Sequence, residues 1–231
     1  MAVHTSALSL KPTAIVYPSS DGKRMAENTL QFEWIVTVQG GLDALFANDP
    51  NVFVAGDLLW YPFKGINKIS IAPDAMVAFG RPKGHRASYL QWEEGGIAPQ
   101  VVFEILSPGN SKFEMLDKLR RYDEYGVEEY YVCDPDRFVL KGWLRSAGGG
   151  GLRPINVMDG WTSPRLGVRF QKPGGKPVEL YGPDGRRFLT FLELEAERQR
   201  AEQRAGQAEL ERDRLAALLR AAGIDPNASG A

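Results

Sequence analysis

Val101-Val102-Phe103-Glu104-Ile105-Leu106 sets an acid in the middle of an apolar run, and Ile71-Ala72-Pro73-Asp74 sets another 30 positions earlier. A continuous apolar run of this length reads as a strand buried on one or both faces. A carboxylate there is costly to desolvate and needs a proton, a cation or strong hydrogen bonds. Two such acids at the ends of neighbouring strands could share a metal ion, which removes their repulsion and supplies the counter-charge. In the competing reading Asp74 merely ends a strand and Glu104 pairs with a Lys or Arg. The rest of the chain bears on the choice.

Working outward, Asn28-Thr29-Leu30-Gln31 has the form of a capping box, with Asn28 as N-cap and Gln31 reaching back. Leu30, Trp34, Ile35, Val38, Leu42, Leu45 and Phe46 follow at helical spacing, which predicts a helix over 29–46, weakened in the middle by Gly40-Gly41. Glu33 falls on its polar side. A strand over 52–61 carries Asp57, Lys64-Gly65-Ile66-Asn67 signals a hairpin, and a second strand covers 68–79. Pro73 inside it argues for an edge or a bulge. The loop over 80–97 holds Arg81, Lys83, His85, Arg86, Tyr89 and Trp92. It could contact phosphates and bases or form a solvated lid.

After the 101–106 strand, Ser111 is placed to cap a helix over 112–125, with Phe113, Leu116, Leu119, Tyr122 and Tyr125 at helical spacing and Gly126 as its stop. Strands over 129–133 and 138–144 follow, then β-like signals from 152 to 191. The order from 28 to 134 is therefore α-β-β-β-α-β. From about Thr190 to Ala222 Glu, Arg, Ala, Gln and Leu dominate, with i,i+3 pairs such as Glu195–Arg198 and Glu209–Arg212. Leu194, Ala201, Ala208 and Leu215 recur every seven residues, but the paired positions are polar, so a solvated single helix and a coiled coil both remain open. The expected organisation is an irregular segment at 1–27, a folded domain at 28–188, a charged helix at 189–222 and a disordered tail at 223–231.

Bulk properties narrow the function classes. The net charge of −1 gives no global basic field, so any nucleic-acid surface must be local. A single cysteine, Cys133, rules out an intramolecular disulfide and reads as a buried hydrophobe. No run of about 18 apolar residues is present and Met1 to Pro12 has no signal-peptide core, so no membrane span and a cytoplasmic location are expected. His4 and His85 are far apart, which leaves no His-based metal cluster or triad. Ser107 follows a strand acid and lacks a nucleophile elbow. Gly148 to Gly151 is a flexible loop without the Lys-Ser/Thr and helix that a phosphate cradle requires.

For Asp74 and Glu104, a hard divalent ion suits the chemistry: it activates water and stabilises a pentacovalent phosphate. A nearby lysine would complete the site, but the position two after Glu104 is Leu106. Lys118 and Lys112, on the next helix, are the substitutes. Glu27 and Asp57 are outlying acids that could join. Pro73-Asp74, Glu104-Ile105-Leu106-Ser107-Pro108, Lys118, Tyr122 and Gly126-Val127-Glu128-Glu129-Tyr130-Tyr131-Val132-Cys133-Asp134-Pro135 together resemble a large bacterial family of restriction-endonuclease-like proteins with the PD-(D/E)XK fold. The resemblance covers roughly residues 20–145, with departures at Ile105, Gly109 and Tyr131. It implies an α/β fold with an αβββαβ core, a mixed central sheet, extra strands and a long C-terminal helix. It also implies Asp74 and Glu104 as ligands of Mg²⁺ (Mn²⁺ as substitute), Lys118 as the catalytic lysine migrated to the helix, and endonuclease action on DNA. Nucleases of this kind often act in pairs, so a homodimer is expected. The competing function is a non-catalytic nucleic-acid-binding or assembly module on the same fold.

Overall fold

The computed structural model describes residues 15–223 except Lys23, Ala147 and Pro173; His4, the start of the 1–27 segment and the tail from 224 onward lie outside the described residues. A six-stranded sheet forms the centre. Its strands in spatial order are β1 (Val52–Ala55), β3 (Ala75–Phe79), β5 (Val101–Ile105), β6 (Glu129–Asp134), β7 (Val139–Arg145) and β8 (Leu152–Pro154). Only the β5–β6 pair is parallel, so the sheet is mixed. Every residue of β5 and β6 is buried, because helices and strands cover both faces of these central strands. Two small ladders complete the β structure: β2 (Trp60–Tyr61) runs parallel to β4 (Tyr89–Leu90), and β9 (Arg169–Gln171) antiparallel to β10 (Glu179–Tyr181).

Helix α1 (Thr29–Leu45) buries Ile35, Val38 and Leu42 against β1, β3 and β5. Asn28 caps it by accepting the Gln31 N–H at 2.8 Å. Gln31 reaches back one residue further than a capping box requires, accepting from Glu27 N–H at 2.8 Å while donating to the Ile105 carbonyl at 2.8 Å. The helix start is thereby tied to the end of β5. Gly41 has a packing reason: a Cβ there would collide with the Phe188 ring.

Helix α2 (Lys112–Glu124) lies on the opposite face, with Ser111 accepting the Glu114 N–H at 3.1 Å. The sequence pattern places Leu119, Tyr122 and Tyr125 correctly, misses Met115 and misplaces Phe113 and Leu116. Met115, Leu119 and Tyr122 pack on the sheet, whereas Phe113 and Leu116 are 81% and 64% exposed. Tyr122 of the helix stacks on Trp60 and meets Tyr130 at a tilt, and Tyr130 stacks on Trp143, giving a continuous row of ring contacts.

Three further expectations are corrected. The 52–61 strand breaks after Ala55, and Asp57 turns the chain with φ +48°, its N–H donating to the Pro73 carbonyl at 3.1 Å. The expected 68–79 strand starts only at Ala75, so Pro73 and Asp74 precede it; Ile71 meets Trp60 in an isolated antiparallel bridge. The 80–97 loop contains β4, and its arginines are paired within it: Arg81 and Arg86 both pair with Glu94, and Arg86 also lies 3.9 Å over the Phe53 ring, while Lys83 pairs with Asp43 of α1.

The chain divides into two compact units, Met1–Phe188 and Leu189–Ala231. The second holds α3 (Phe191–Ala221), opened by a capping box between Thr190 and Glu193 and burying none of its residues. Glu195–Arg198 at 2.7 Å and Arg198–Glu202 lace its surface. No helix among the described residues is long and apolar enough to cross a membrane.

Candidate active site

The antiparallel register pairs Ala75 with Phe103, which sets Asp74 and Glu104 side by side at the sheet margin. Asp74 has left the ladder, but its Oδ2 accepts the Ile105 N–H at 2.6 Å, extending the β3–β5 pairing by one rung through a side chain. Glu104, 3% exposed, points to the α2 face. Its Oε2 receives the Lys118 ammonium at 2.6 Å and its Oε1 the Tyr122 hydroxyl at 2.5 Å. The ion pair expected in the competing reading of Glu104 is thus present, and its partner is the lysine singled out for chemistry. Lys112 is exposed at the start of the helix.

Electrostatics tie these groups together. Burial first, and the Glu104 charge second, hold the Asp74 carboxyl well above the ordinary range, against the pull of the Ile105 N–H and Lys118. Burial works to lower the Lys118 pKa, but the Glu104 charge and hydrogen bond outweigh it and the net shift is upward, so Lys118 stays an ammonium. Burial and the neighbouring Glu104 hold Tyr122 protonated as a donor. Asp57 is raised by burial and by Asp21, against Lys118.

Asp74 and Lys118 line a cleft of about 790 Å³. Glu27 and Asp57 line it too, so the structure brings both outlying acids to the same opening. Glu27 accepts from the Ser107 hydroxyl at 2.5 Å. Gly109 beside it has no room for a Cβ, which would strike the Glu27 carboxylate. Ser107 N–H in turn donates to Asn110 Oδ1 at 2.9 Å, fixing the turn that joins β5 to α2. The Glu27–Ser107 link and the Tyr122 bond to Glu104 were not read from sequence. The Asn28–Gln31 cap was the one signal that the preceding acid would be anchored near β5.

A hard cation fits these donors. The acids are oxygen ligands without His or Cys nearby, and Lys118 pairs with buried Glu104 while half-buried Asp74 has no paired cation among the described residues. Both Glu104 oxygens have partners, yet a carboxylate offers about four lone-pair positions. Among the described residues no group of three or more His, Cys, Asp or Glu is arranged to hold an ion alone. An ion held by Asp74 and Glu104 would need waters or substrate oxygens to complete its shell, as Mg²⁺ accepts.

An αβββαβ core around a mixed central sheet is a restriction-endonuclease-like fold. The model of the Uma2 family, described as "Putative restriction endonuclease", matches residues 31–171, and the chain belongs to that family. Among solved structures, a putative nuclease belonging to DUF820 from Anabaena variabilis is 15% identical with a TM-score of 0.44, covering 59% of this chain and 72% of that one. No curated protein matches the chain.

Proposed function

We propose that the chain is a Mg²⁺-dependent endonuclease that hydrolyses phosphodiester bonds in DNA, with Mn²⁺ as a substitute ion. The observation that carries this is the Lys118–Glu104–Asp74 cluster, with Asp74 and Lys118 lining the cleft and Glu104 buried behind them. Asp74 and Glu104 would hold the ion. Bound there, Mg²⁺ supplies a more acidic water and offsets charge on the phosphate. The Ile105 N–H fixes Asp74 through one oxygen. Tyr122 and Lys118 fix the rotamer of Glu104 from two sides. The Lys118 ammonium places a permanent positive charge where the phosphate gains negative charge in the transition state.

A specific observation favours the second reading, a non-catalytic binding or assembly module: both Glu104 oxygens already have protein partners, Lys118 and Tyr122. Calorimetry with Mg²⁺ and Mn²⁺ on wild type, Asp74→Ala and Glu104→Gln separates the two, together with cleavage of plasmid and single-stranded DNA against an EDTA control. Ion binding lost in both variants and metal-dependent cutting support the nuclease. Equal ion affinity in all three proteins refutes the ligand assignment, and no cutting with any ion leaves the module.

Dimerisation belongs to the same proposal. α3 buries nothing within its own unit and carries the seven-residue stripe Leu194, Ala201, Ala208 and Leu215, so we assign it to pairing between two copies.

A further inference from the structure

A buried hydroxyl either finds a hydrogen-bond partner or works against the fold. Among the described residues, each fully buried tyrosine but one has found it. Tyr61 donates to the Pro18 carbonyl at 2.9 Å and Tyr89 to the Ile97 carbonyl at 2.8 Å. Tyr122 donates to Glu104, and Tyr131, on the α1 face of the sheet, donates to Glu129 at 2.9 Å. Tyr130, 0% exposed, has a hydroxyl without a partner among the described residues. Its ring is well held, tilted against Tyr122 at 5.0 Å and stacked on Trp143 at 5.1 Å. Phenylalanine would make the same ring contacts without the orphan oxygen. That oxygen therefore needs a use outside the resting fold.

The register of the sheet points to the use. β6 runs parallel to β5 with Tyr130 opposite Val102 and Val132 opposite Glu104, so Tyr130 and Glu104 share a face as diagonal neighbours. Tyr122 touches both, with its hydroxyl on Glu104 Oε1 and its ring against Tyr130. The charges that reach Tyr130 mark the same place. Burial first, then the charges of Glu104, Asp74 and Glu114, hold its pKa well above the ordinary range, so the hydroxyl stays a donor.

Glu104 and the reaction compete for one ammonium. In the structure Glu104 Oε2 takes Lys118. The reaction proposed above needs the same charge at the phosphate in the cleft. When Lys118 turns to it, a buried carboxylate loses its charged donor. A carboxylate accepts at about four positions, so a second hydroxyl can replace the ammonium beside Tyr122.

We propose that Tyr130 is a positioning residue for the acid pair: its hydroxyl donates to Glu104 when Lys118 turns to the substrate phosphate, and holds the carboxylate in place through the reaction. The proposal rests on the nuclease reading of Lys118 and adds the donor that takes its place. One hydrogen bond is exchanged for another, and Tyr130 keeps its proton throughout.

Thermal unfolding of the full chain without divalent ion tests the donor, and turnover on plasmid DNA with Mg²⁺ tests its use. Every unfolding sample carries the same concentration of trimethylamine N-oxide, which keeps a weakened variant folded. Tyr130→Phe should unfold at the wild-type Tm or above, because the hydroxyl makes no bond in the resting fold. In Lys118→Met the Glu104 oxygen left by the ammonium takes the Tyr130 hydroxyl. Adding Tyr130→Phe to Lys118→Met should therefore lower Tm by about 3–12 °C, the loss of one hydrogen bond to a charge in a chain of this size. Tyr130→Phe alone should lower kcat about 10- to 100-fold, the effect of removing a partner that orients a ligand, with KM unchanged. A lower Tm for Tyr130→Phe alone gives the hydroxyl a place in the resting fold and overturns the proposal. So does a Lys118→Met Tm that Tyr130→Phe leaves unchanged, or a wild-type kcat in Tyr130→Phe. If wild type cuts no DNA, the nuclease reading fails on that measurement, while the two Tm comparisons still decide whether Tyr130 serves Glu104.

Discussion

Lys118→Met tests the centre of the site with a change that keeps side-chain length and removes charge. Glu104 is 3% exposed and would keep only the Tyr122 hydroxyl, beside an Asp74 that already repels it. Removing one member of a buried ion pair costs about 3–5 kcal/mol. The Lys118 side chain is 21% exposed toward the cleft, so water can reach the vacated Oε2 and the low end, about 3 kcal/mol, applies. For a chain of this size that lowers Tm by about 6–12 °C. Mg²⁺ should recover part of the loss, because an ion between the acids replaces the missing counter-charge. Its stabilising effect, measured by thermal circular dichroism with and without Mg²⁺, should therefore be larger in Lys118→Met than in wild type. Turnover on DNA should fall about 10²–10³-fold, the effect of losing one preorganised electrostatic group. Lys112→Met, at an exposed position, should change DNA affinity and its salt dependence while sparing turnover. A Lys118→Met protein that is as stable and as fast as wild type, or a Lys112→Met protein that loses the turnover instead, refutes the assignment.

Other outcomes follow from the same coordinates. Tyr122→Phe leaves a buried Glu104 oxygen without its donor and should cost about 1–3 kcal/mol in urea unfolding. Gly109→Ala must displace the Glu27 carboxylate from Ser107 and should destabilise by about 1–3 kcal/mol, which thermal unfolding would detect. Glu129 is fully buried among Ser163, Tyr131 and the Arg165 N–H, and burial holds its pKa above 4.5 in spite of those donors. The folded chain therefore holds that proton more tightly than the unfolded one. The stability it contributes is complete below the ordinary Glu value and declines as pH rises through the raised one. Urea titrations at several pH values should show the gap between wild type and Glu129→Gln moving in the variant's favour as pH rises; a gap independent of pH contradicts this. Light scattering should give a dimer for the full chain and a monomer for a 1–188 truncation; a full-length monomer removes α3 as the interface.

What the sequence made legible was local chemistry with its own geometry. Asn28 and Ser111 cap α1 and α2 where a short polar side chain precedes an apolar pattern. The all-apolar β5 run became a fully buried strand. Lys118, read as the substitute for Leu106, does reach Glu104. The misreadings came where tertiary contacts override local pattern. Phe113 and Leu116 share a helical period with Leu119, Tyr122 and Tyr125, but only the sheet's position shows that Met115 completes the buried side and that the first two lie off it. Asp57 lies in a run that reads as continuous strand, and only its bond to Pro73 shows the chain turning there. The basic loop looked available to phosphates because Glu94 is eight residues from Arg86 in sequence, beyond local pairing rules. Glu129 sits in an apolar run like that of Glu104, but its partners at 163 and 165 come from a distant loop.

The side-chain rung from Asp74 to the Ile105 N–H also bears on how such a protein can drift over generations. The sheet asks position 74 only for a hydrogen-bond acceptor, whereas an ion asks it for a negative charge. Asparagine meets the first demand and fails the second. If Asp74 holds the ion as proposed, one amide in place of one carboxylate oxygen would silence the chemistry and relieve the repulsion with Glu104 while the strands stayed in register. Loss of activity at this position is therefore nearly invisible to selection for folding. Silent descendants should arise readily and persist wherever binding alone is useful, and the residue at position 74 is the first place to look when sorting cutters from binders among related chains.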